Sequence, residues 1–191
     1  MYSKNSGFTL IEILVSVGII SILAGVIYAS FGSARDDAKN KSFQTEIKEM
    51  QLSIELYKAQ NGEYPDVPTG TLPPGCVTTG TGVETSNSSN CGTIEYITGL
   101  VPDFIAELPD EDESANPGCT VTYAVESPNR SWYKLTAANC YSGATVPSEG
   151  IQQDEGLARC PTTCPATGSC DPSDASFYES FAVYSSGGEC Q

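Results

Sequence analysis

The chain of 191 residues is strongly acidic, with 24 Asp and Glu residues against 9 Lys and Arg and a formal net charge of −15. It contains eight cysteines and no histidine, which removes the commonest general base. No Gly-x-Ser-x-Gly elbow and no phosphate-binding glycine loop is present. These features argue against an enzyme, favour no cofactor, and disfavour direct binding of nucleic acid by so acidic a chain.

The N-terminus joins a short polar stretch to a long apolar one. Residues 8–31 carry a single charge, Glu12, and at 1.5 Å per residue they are long enough to cross a hydrocarbon core about 30 Å thick. A secretory signal has its small cleavage-site residue after the apolar core, whereas Gly7 precedes this one. A plain membrane anchor, with Lys4 holding the N-terminus in the cytoplasm, explains the span. It does not explain Glu12, because a charge deep in the membrane costs roughly 2.5–3.5 kcal/mol unless its side chain snorkels.

The string Gly7-Phe8-Thr9-Leu10-Ile11-Glu12 resembles the class III leader of type IV pilins and of type II secretion pseudopilins. The resemblance implies cleavage between Gly7 and Phe8, methylation of the Phe8 amine, and assembly into a filament through the retained helix. It also implies that Glu12 pairs with the Phe8 amine of a neighbouring subunit. Opposite charges about 4 Å apart gain roughly 4 kcal/mol at an effective dielectric constant near 20, which offsets the insertion cost.

One continuous helix is predicted from Phe8 to Asn61, because this stretch contains no proline. Beyond Arg35 the pattern becomes amphipathic. The predicted core-facing stripe comprises Phe43, Ile47, Met50, Ile54 and Tyr57, with Leu52 and Leu56 widening it. Asn61-Gly62 supplies a stop signal, and Pro65 prevents the helix from resuming.

Residues 62–191 are long enough for one small core. A Thr-, Gly- and Ser-rich loop is expected from Thr69 to Asn90, and the resemblance implies a short helix and proline turn over residues 100–109. Strands are predicted at Cys119–Val125, Ser131–Thr136 and Phe177–Ser185, with residues 127–130 turning the first two into a hairpin. The expected class is α+β: the lollipop of pilins, with a long helix packed on a small antiparallel sheet and disulfide-stapled loops.

All eight cysteines follow the apolar segment, and an even number in an exported domain predicts a disulfide framework. Cys76 and Cys91 close the polar loop, and Cys119 and Cys140 bracket the hairpin. The remaining four are expected to pair among themselves: Cys160, Cys164, Cys170 and Cys190.

Two metal sites are alternatives to a metal-free domain. Cys160, Cys164 and Cys170 offer sulfur ligands for zinc, but their spacing does not match a zinc ribbon and no histidine completes the set. The run from Asp110 to Glu113, in particular Asp110 and Asp112, offers oxygen ligands for calcium, as an analogous loop does in major pseudopilins. The run lacks the alternating spacing of a dedicated site, and an acidic run is most often a solvated loop.

The segments are therefore a cleaved leader (1–7), a membrane-spanning or filament-core helix (8–31), its amphipathic continuation (32–61) and an exported domain (62–191). The expected function is a structural subunit of a type IV pilus or similar filament. The expected partners are itself, other pilins, the prepilin peptidase and methyltransferase, and a membrane assembly platform. Before assembly the protein would lie in the cytoplasmic membrane. The alternatives are a pseudopilin of a secretion or competence system, or a membrane-tethered binding module or enzyme.

Overall fold

The computed structural model describes residues 9–109, 118–153 and 155–191, so the Gly7–Phe8 junction and the acidic run at Asp110 and Asp112 lie outside the described residues. The main elements in chain order are helix α1 (Leu10–Asn61), β1 (Val77–Thr79), β2 (Val83–Asn87), α2 (Ser88–Cys91), β3 (Thr120–Glu126), β4 (Tyr133–Ala138), α3 (Ala175–Tyr178) and β5 (Phe181–Tyr184). Short 3₁₀ turns occupy Pro147–Glu149 and Gly168–Cys170. The chain divides into two compact units that meet between Ala38 and Lys39.

The first unit contains the N-terminal part of α1. Among its described residues the large apolar side chains between Leu10 and Phe31 are exposed, each over more than half of its surface. The helix is long and apolar enough to cross a membrane by length and composition. A helix is the form that such a segment requires, because it satisfies the backbone hydrogen bonds internally.

The second unit contains a five-stranded antiparallel sheet in the simple order β1-β2-β3-β4-β5. Its central hairpin aligns Val125 with Tyr133 and Thr120 with Ala138. Strand β3 alternates strictly between half-buried and buried residues, the pattern of a strand with one face on the core. The predicted α+β class is confirmed.

The rest of α1 covers the buried face of this sheet. Ile47, Met50 and Ile54 are fully buried, as their spacing predicts, in one core with Tyr123 and Leu135. Burying each aliphatic side chain contributes roughly 1.5–3 kcal/mol relative to leaving it exposed. The helix ends at Asn61, and Gly62 follows with a left-handed φ of 86°, the conformation that favours glycine at this position.

Leu52 and Leu56 do not belong to the core. Leu52 is 61% exposed and Leu56 is 45% exposed, so the prediction that they widen the core-facing stripe is wrong. At about 100° per residue both leucines lie on the opposite side of α1 from Met50 and Ile54. Apolar character alone could not separate the two sides of the helix.

The segment predicted as a loop from Thr69 to Asn90 instead contains the β1–β2 hairpin and the start of α2. Register pairs Val77 with Ser86 and Thr79 with Glu84, and β2 then pairs along β3. Threonine is a good strand former, but these strands are mostly polar and lack the apolar alternation by which strands are recognised. The sheet therefore has two more strands than the sequence predicts.

Two further boundaries differ from expectation. Residues 100–109 form a turn rather than a short helix; the amides of Phe104 and Ile105 both bond to the Leu100 carbonyl. The third predicted strand, Phe177–Ser185, is divided between α3 and β5. Asp174 explains this division, because its side chain accepts a hydrogen bond from the Ser176 amide and caps α3.

Candidate functional site

The first turn of α1 holds Glu12 in a reciprocal capping arrangement with Thr9. The Glu12 Oε2 atom accepts hydrogen bonds from the Thr9 amide at 2.8 Å and from the Thr9 hydroxyl at 2.7 Å. The Glu12 amide donates in turn to the Thr9 hydroxyl oxygen at 3.4 Å. This is the Thr-x-x-Glu capping box, in which each side chain satisfies a donor that the helix start leaves unpaired. The carboxylate also lies at the positive end of the helix dipole.

Thr9 is therefore a candidate site residue that the sequence reasoning missed, although the Thr-x-x-Glu spacing was there to find it. Glu12 has two neutral donors within its own chain. In a bilayer these donors reduce the cost of the buried charge without removing the charge. Both of these hydrogen bonds go to the same carboxylate oxygen, Oε2.

The helix beyond Glu12 satisfies its own polar groups. The Ser16 hydroxyl donates to the Glu12 carbonyl at 2.7 Å, and the Ser21 hydroxyl donates to the Val17 carbonyl at 2.8 Å. A methyl group added at Gly18 would meet nothing within 4 Å, so the chain's own packing does not require that glycine. The outer surface over residues 10–28 is consequently mostly apolar, apart from the capping box.

A second exposed apolar surface lies on the part of α1 inside the second unit. It consists of Leu52 and Leu56, one turn apart, and we call it the outer leucine pair. Lys48 lies one turn before Leu52 and is also exposed. Residues i and i+4 are neighbours on a helix, so these three side chains form one continuous strip that carries a positive charge at its start.

The structure pairs all eight cysteines: Cys76 with Cys91, Cys119 with Cys140, Cys160 with Cys170, and Cys164 with Cys190. The first two are the pairs expected from the loop and from the hairpin, and the last four pair among themselves. The sulfur atoms considered as zinc ligands are thus all in disulfides. Within the described ranges, no group of three Cys, Asp or Glu residues is placed to hold a metal ion.

A charged side chain is buried on strand β4. Lys134 on β4 is 2% exposed, and its Nζ donates to the carbonyl oxygens of Gln191 at 2.7 Å and Glu189 at 3.1 Å. Burial, with a smaller contribution from the Arg159 cation, lowers the pKa of Lys134 to about 8. Lys134 thus joins the sheet to the segment around Cys190.

Comparison with known proteins gives matches at the N-terminus and to one group of relatives. The family model described as the prokaryotic N-terminal methylation motif matches residues 2–28. Type II secretion system core protein G of Pseudomonas aeruginosa is 39% identical over 67 residues, 35% of this chain and 47% of that protein. The core protein G of Escherichia coli is 30% identical over 79 residues, 37% of this chain and 54% of that protein.

The core protein G of Vibrio cholerae is similar at 31% identity over 67 residues, 35% of this chain and 46% of that protein. The chain spans about half the length of the curated relatives that it matches. No solved structure matches it significantly. The methylation motif and the similarity to core protein G agree with a helix whose first part is apolar and whose later part packs on an antiparallel sheet. The chain thus carries the N-terminal methylation motif and is similar to type II secretion core protein G over about a third of its length.

Proposed function

We propose that this protein is a subunit of a type IV pilus or pilus-like filament and polymerises through the first part of α1. The observation that carries the proposal is the surface of residues 10–28, where the hydroxyls of Ser16 and Ser21 bond within the helix and the large apolar side chains are exposed. Two environments suit such a surface: a lipid bilayer and a bundle of like helices. A pilin-like subunit passes from the first to the second.

Processing would prepare the subunit for that transfer. Residues 1–7 would be a leader removed after Gly7 by a prepilin peptidase, which would also methylate the Phe8 amine. Residues 8–31 would lie in the cytoplasmic membrane with the N-terminus inside, 32–61 would continue the helix, and 62–191 would be exported. The methylation motif over residues 2–28 supports the processing. Four disulfides support an oxidising compartment for residues 62–191.

Glu12 would act as the docking residue between subunits. In the isolated chain Thr9 supplies two donors to one oxygen of its carboxylate, which holds the side chain at the start of the helix. The methylated amine of Phe8 in the next subunit would supply the positive charge that the chain's own capping box lacks. A pair of opposite charges about 4 Å apart gains roughly 4 kcal/mol at an effective dielectric constant near 20, so an incoming subunit would be held in one register.

The outer leucine pair would provide a second contact in the filament. Leu52 and Leu56 are large apolar side chains that α1 exposes to water. In the described part of the second unit, the other large apolar residues are buried or half-buried, with the exception of Val146. Burying this strip against a neighbouring subunit would remove apolar surface from water, worth about 25 cal/mol per Å². The protein would thus act as a building block rather than as an enzyme, with a membrane platform extracting it for assembly.

A secretion pseudopilus is the second candidate, favoured by the homology to type II secretion core protein G. The two candidates differ in where the filament ends. Deleting the gene should remove sheared surface fibres if the protein is a pilin. It should instead block the release of secreted proteins, with surface fibres unchanged, if the protein is a pseudopilin.

Mass spectrometry of the membrane and filament fractions tests the shared proposal. The mature protein should begin at a monomethylated Phe8, and sheared filaments should contain it. Replacing Gly7 by a bulky residue should leave unprocessed protein in the membrane. If cells with an active prepilin peptidase yield only protein that begins at Met1 or Tyr2, the proposal fails.

A further inference from the structure

The sequence contains three Asn-x-Ser tripeptides, the acceptor pattern for N-linked glycans. They are Asn40-Lys41-Ser42, Asn87-Ser88-Ser89 and Asn129-Arg130-Ser131. Sequence alone ranks them equally. The structure separates them, because a glycan is bulky and hydrated and can be attached to the folded domain only where the asparagine side chain reaches solvent.

Asn40 is unavailable in the folded domain. The residue is 4% exposed, and its Nδ2 donates to the Ser142 carbonyl at 2.9 Å while its Oδ1 accepts from the Ser142 amide at 2.7 Å. A sugar on Nδ2 would have to displace the segment that contains Ser142. The folded structure therefore excludes a glycan at this position.

Asn87 is held at the junction between β2 and α2. Its Oδ1 accepts from the Asn90 amide, which makes it the N-cap of α2, and its Nδ2 donates to the Thr122 hydroxyl at 3.3 Å. Ser88 is buried, and the Ser89 hydroxyl lies 2.8 Å from the Thr120 hydroxyl. Both functional side chains of this tripeptide are thus engaged in the sheet.

Asn129 has the opposite environment. It is exposed at the tip of the β3–β4 turn, and Ser131 is exposed beside it. The Asn129 Nδ2 atom donates a hydrogen bond to Glu126 Oε1 at 3.3 Å, and this bond lies at the surface. The tip itself is fixed, because the Arg130 amide donates to the Glu126 carbonyl at 3.0 Å and the Arg130 side chain pairs with Asp66 at 3.5 Å.

We propose that Asn129 is an N-glycosylation site whose donor is an oligosaccharide carried on a polyprenyl diphosphate. The bond formed joins Asn129 Nδ2 to C1 of the first sugar, and the bond broken joins that C1 to the diphosphate oxygen. The polyprenyl diphosphate leaves with the bonding electron pair, the amide proton passes to a base of the transferase, and no redox change occurs. The proposal rests on the proposed function in one respect, since residues 62–191 must be exported.

Glycopeptide mapping of the protein purified from the cells that natively make it tests the proposal. The peptide that contains Asn129 should carry hexose and N-acetylhexosamine masses, whereas the peptides with Asn40 and Asn87 should be unmodified. Ser131→Ala should abolish the added mass, because it removes the hydroxyl of the acceptor pattern and leaves Asn129 in place. Ser131→Thr, which keeps a hydroxyl, should retain it, and neither exposed substitution should disturb folding.

Protease added outside the cytoplasmic membrane of spheroplasts separates this inference from the proposed function. If residues 62–191 are cut and Asn129 is unmodified, the glycosylation site is refuted while the filament proposal stands. Glycan on Asn40 or Asn87, or glycan that persists in Ser131→Ala, also overturns the inference. If residues 62–191 resist the protease until detergent is added, they are not exported, and the proposed function and this inference both fail.

Discussion

The side-chain amide of Asn40 and the backbone of Ser142 exchange two hydrogen bonds across 102 residues of sequence. Asn40 lies on α1, and Ser142 lies in the segment that follows β4. Both residues are buried, so the bonds are shielded from water. They fix the helix to the loop beyond the sheet with a specificity that apolar packing does not provide.

Asn40→Ala should destabilise the domain. The change removes both hydrogen bonds between Asn40 and the Ser142 backbone, and losing a buried hydrogen-bond partner costs about 1–3 kcal/mol. Denaturant unfolding of the full chain in detergent, followed by the fluorescence of Trp132, measures the effect. The exposed residue Gln60 on the same helix provides the control, since Gln60→Ala should change the free energy of unfolding by less than about 0.5 kcal/mol. Equal stabilities of the two variants would show that the pair contributes nothing.

Alanine substitutions at Ile54 and Leu52 should have different effects, although the two residues are only two positions apart. Ile54→Ala removes a fully buried side chain and should cost about 2–5 kcal/mol. Leu52→Ala, at a position 61% exposed, should leave the free energy of unfolding nearly unchanged and should lower the filament yield. The measurements are denaturant unfolding and the ratio of sheared filament to total subunit. A wild-type filament yield for a Leu52→Ala, Leu56→Ala double variant would rule out the outer leucine pair as a contact surface.

Substitutions at Glu12 and at Thr9 should distinguish docking between subunits from capping of the helix. Glu12→Ala removes the charge, so membrane insertion and cleavage after Gly7 should proceed while filament yield falls steeply. Thr9→Val removes the hydroxyl that Glu12 contacts but keeps the charge, so a smaller loss is expected, and Thr9→Ser should restore the yield. Sheared filament relative to total subunit is the measurement. Docking through Glu12 is wrong if Glu12→Ala assembles like the wild type.

Lys134 should make stability depend on pH above neutrality. Burial lowers its pKa to about 8 from the ordinary lysine value of 10.5, so between these pH values the unfolded chain holds a proton that the folded chain has lost. The free energy of unfolding should therefore rise with pH across this window, by up to ~3 kcal/mol from this group. Below about pH 8 Lys134 is protonated in both the folded and the unfolded chain, so the stabilisation gained at higher pH is lost.

The Lys134→Met variant should lack that rise, because it has no group to titrate. Unfolding by urea at pH 7, 8, 9 and 10, compared between wild type and variant, isolates the Lys134 contribution from tyrosine ionisation. Parallel pH profiles for the two proteins would mean that the ammonium group is not desolvated in the folded state.

The cysteines should give no alkylation under denaturing, non-reducing conditions. Peptide mapping should recover Cys76 with Cys91, Cys119 with Cys140, Cys160 with Cys170, and Cys164 with Cys190. Replacing Cys119 and Cys140 together by serine should cost about 3 kcal/mol, the chain-entropy value for a loop of this size. Bound zinc, or several alkylatable thiols, would contradict the framework.

The sequence predicts those parts of the fold in which one physical signal dominates. Apolar spacing identifies Ile47, Met50 and Ile54 as buried, and the sequence Asn61-Gly62 marks the end of α1. Apolar character could not identify Leu52 as exposed, because the side of a helix that meets a sheet is decided by the whole stripe. The role of Thr9 is encoded locally, because the Thr-x-x-Glu spacing predicts a capping box whatever else the charge of Glu12 does.

The β1–β2 hairpin shows why the remaining strands could not be predicted. Its residues are polar, and their positions depend on pairing with β3 and on the bridge between Cys76 and Cys91, which are non-local interactions. The choice of Cys170 rather than Cys164 as the partner of Cys160 depends likewise on how the last thirty residues fold back on the sheet. Spacing along the chain does not contain that information.

Helix α1 contains no cysteine, and each of the four disulfides closes a loop within residues 76–190. No disulfide therefore crosses from α1 to the sheet, and a tensile force applied along α1 first loads non-covalent contacts, among them the buried side chains around Met50 and the bonds between Asn40 and Ser142. Beyond those contacts the disulfides limit how far the loops can be extended. Mechanical failure is therefore expected first at the helix–sheet boundary, with the stapled domain left folded and able to re-dock.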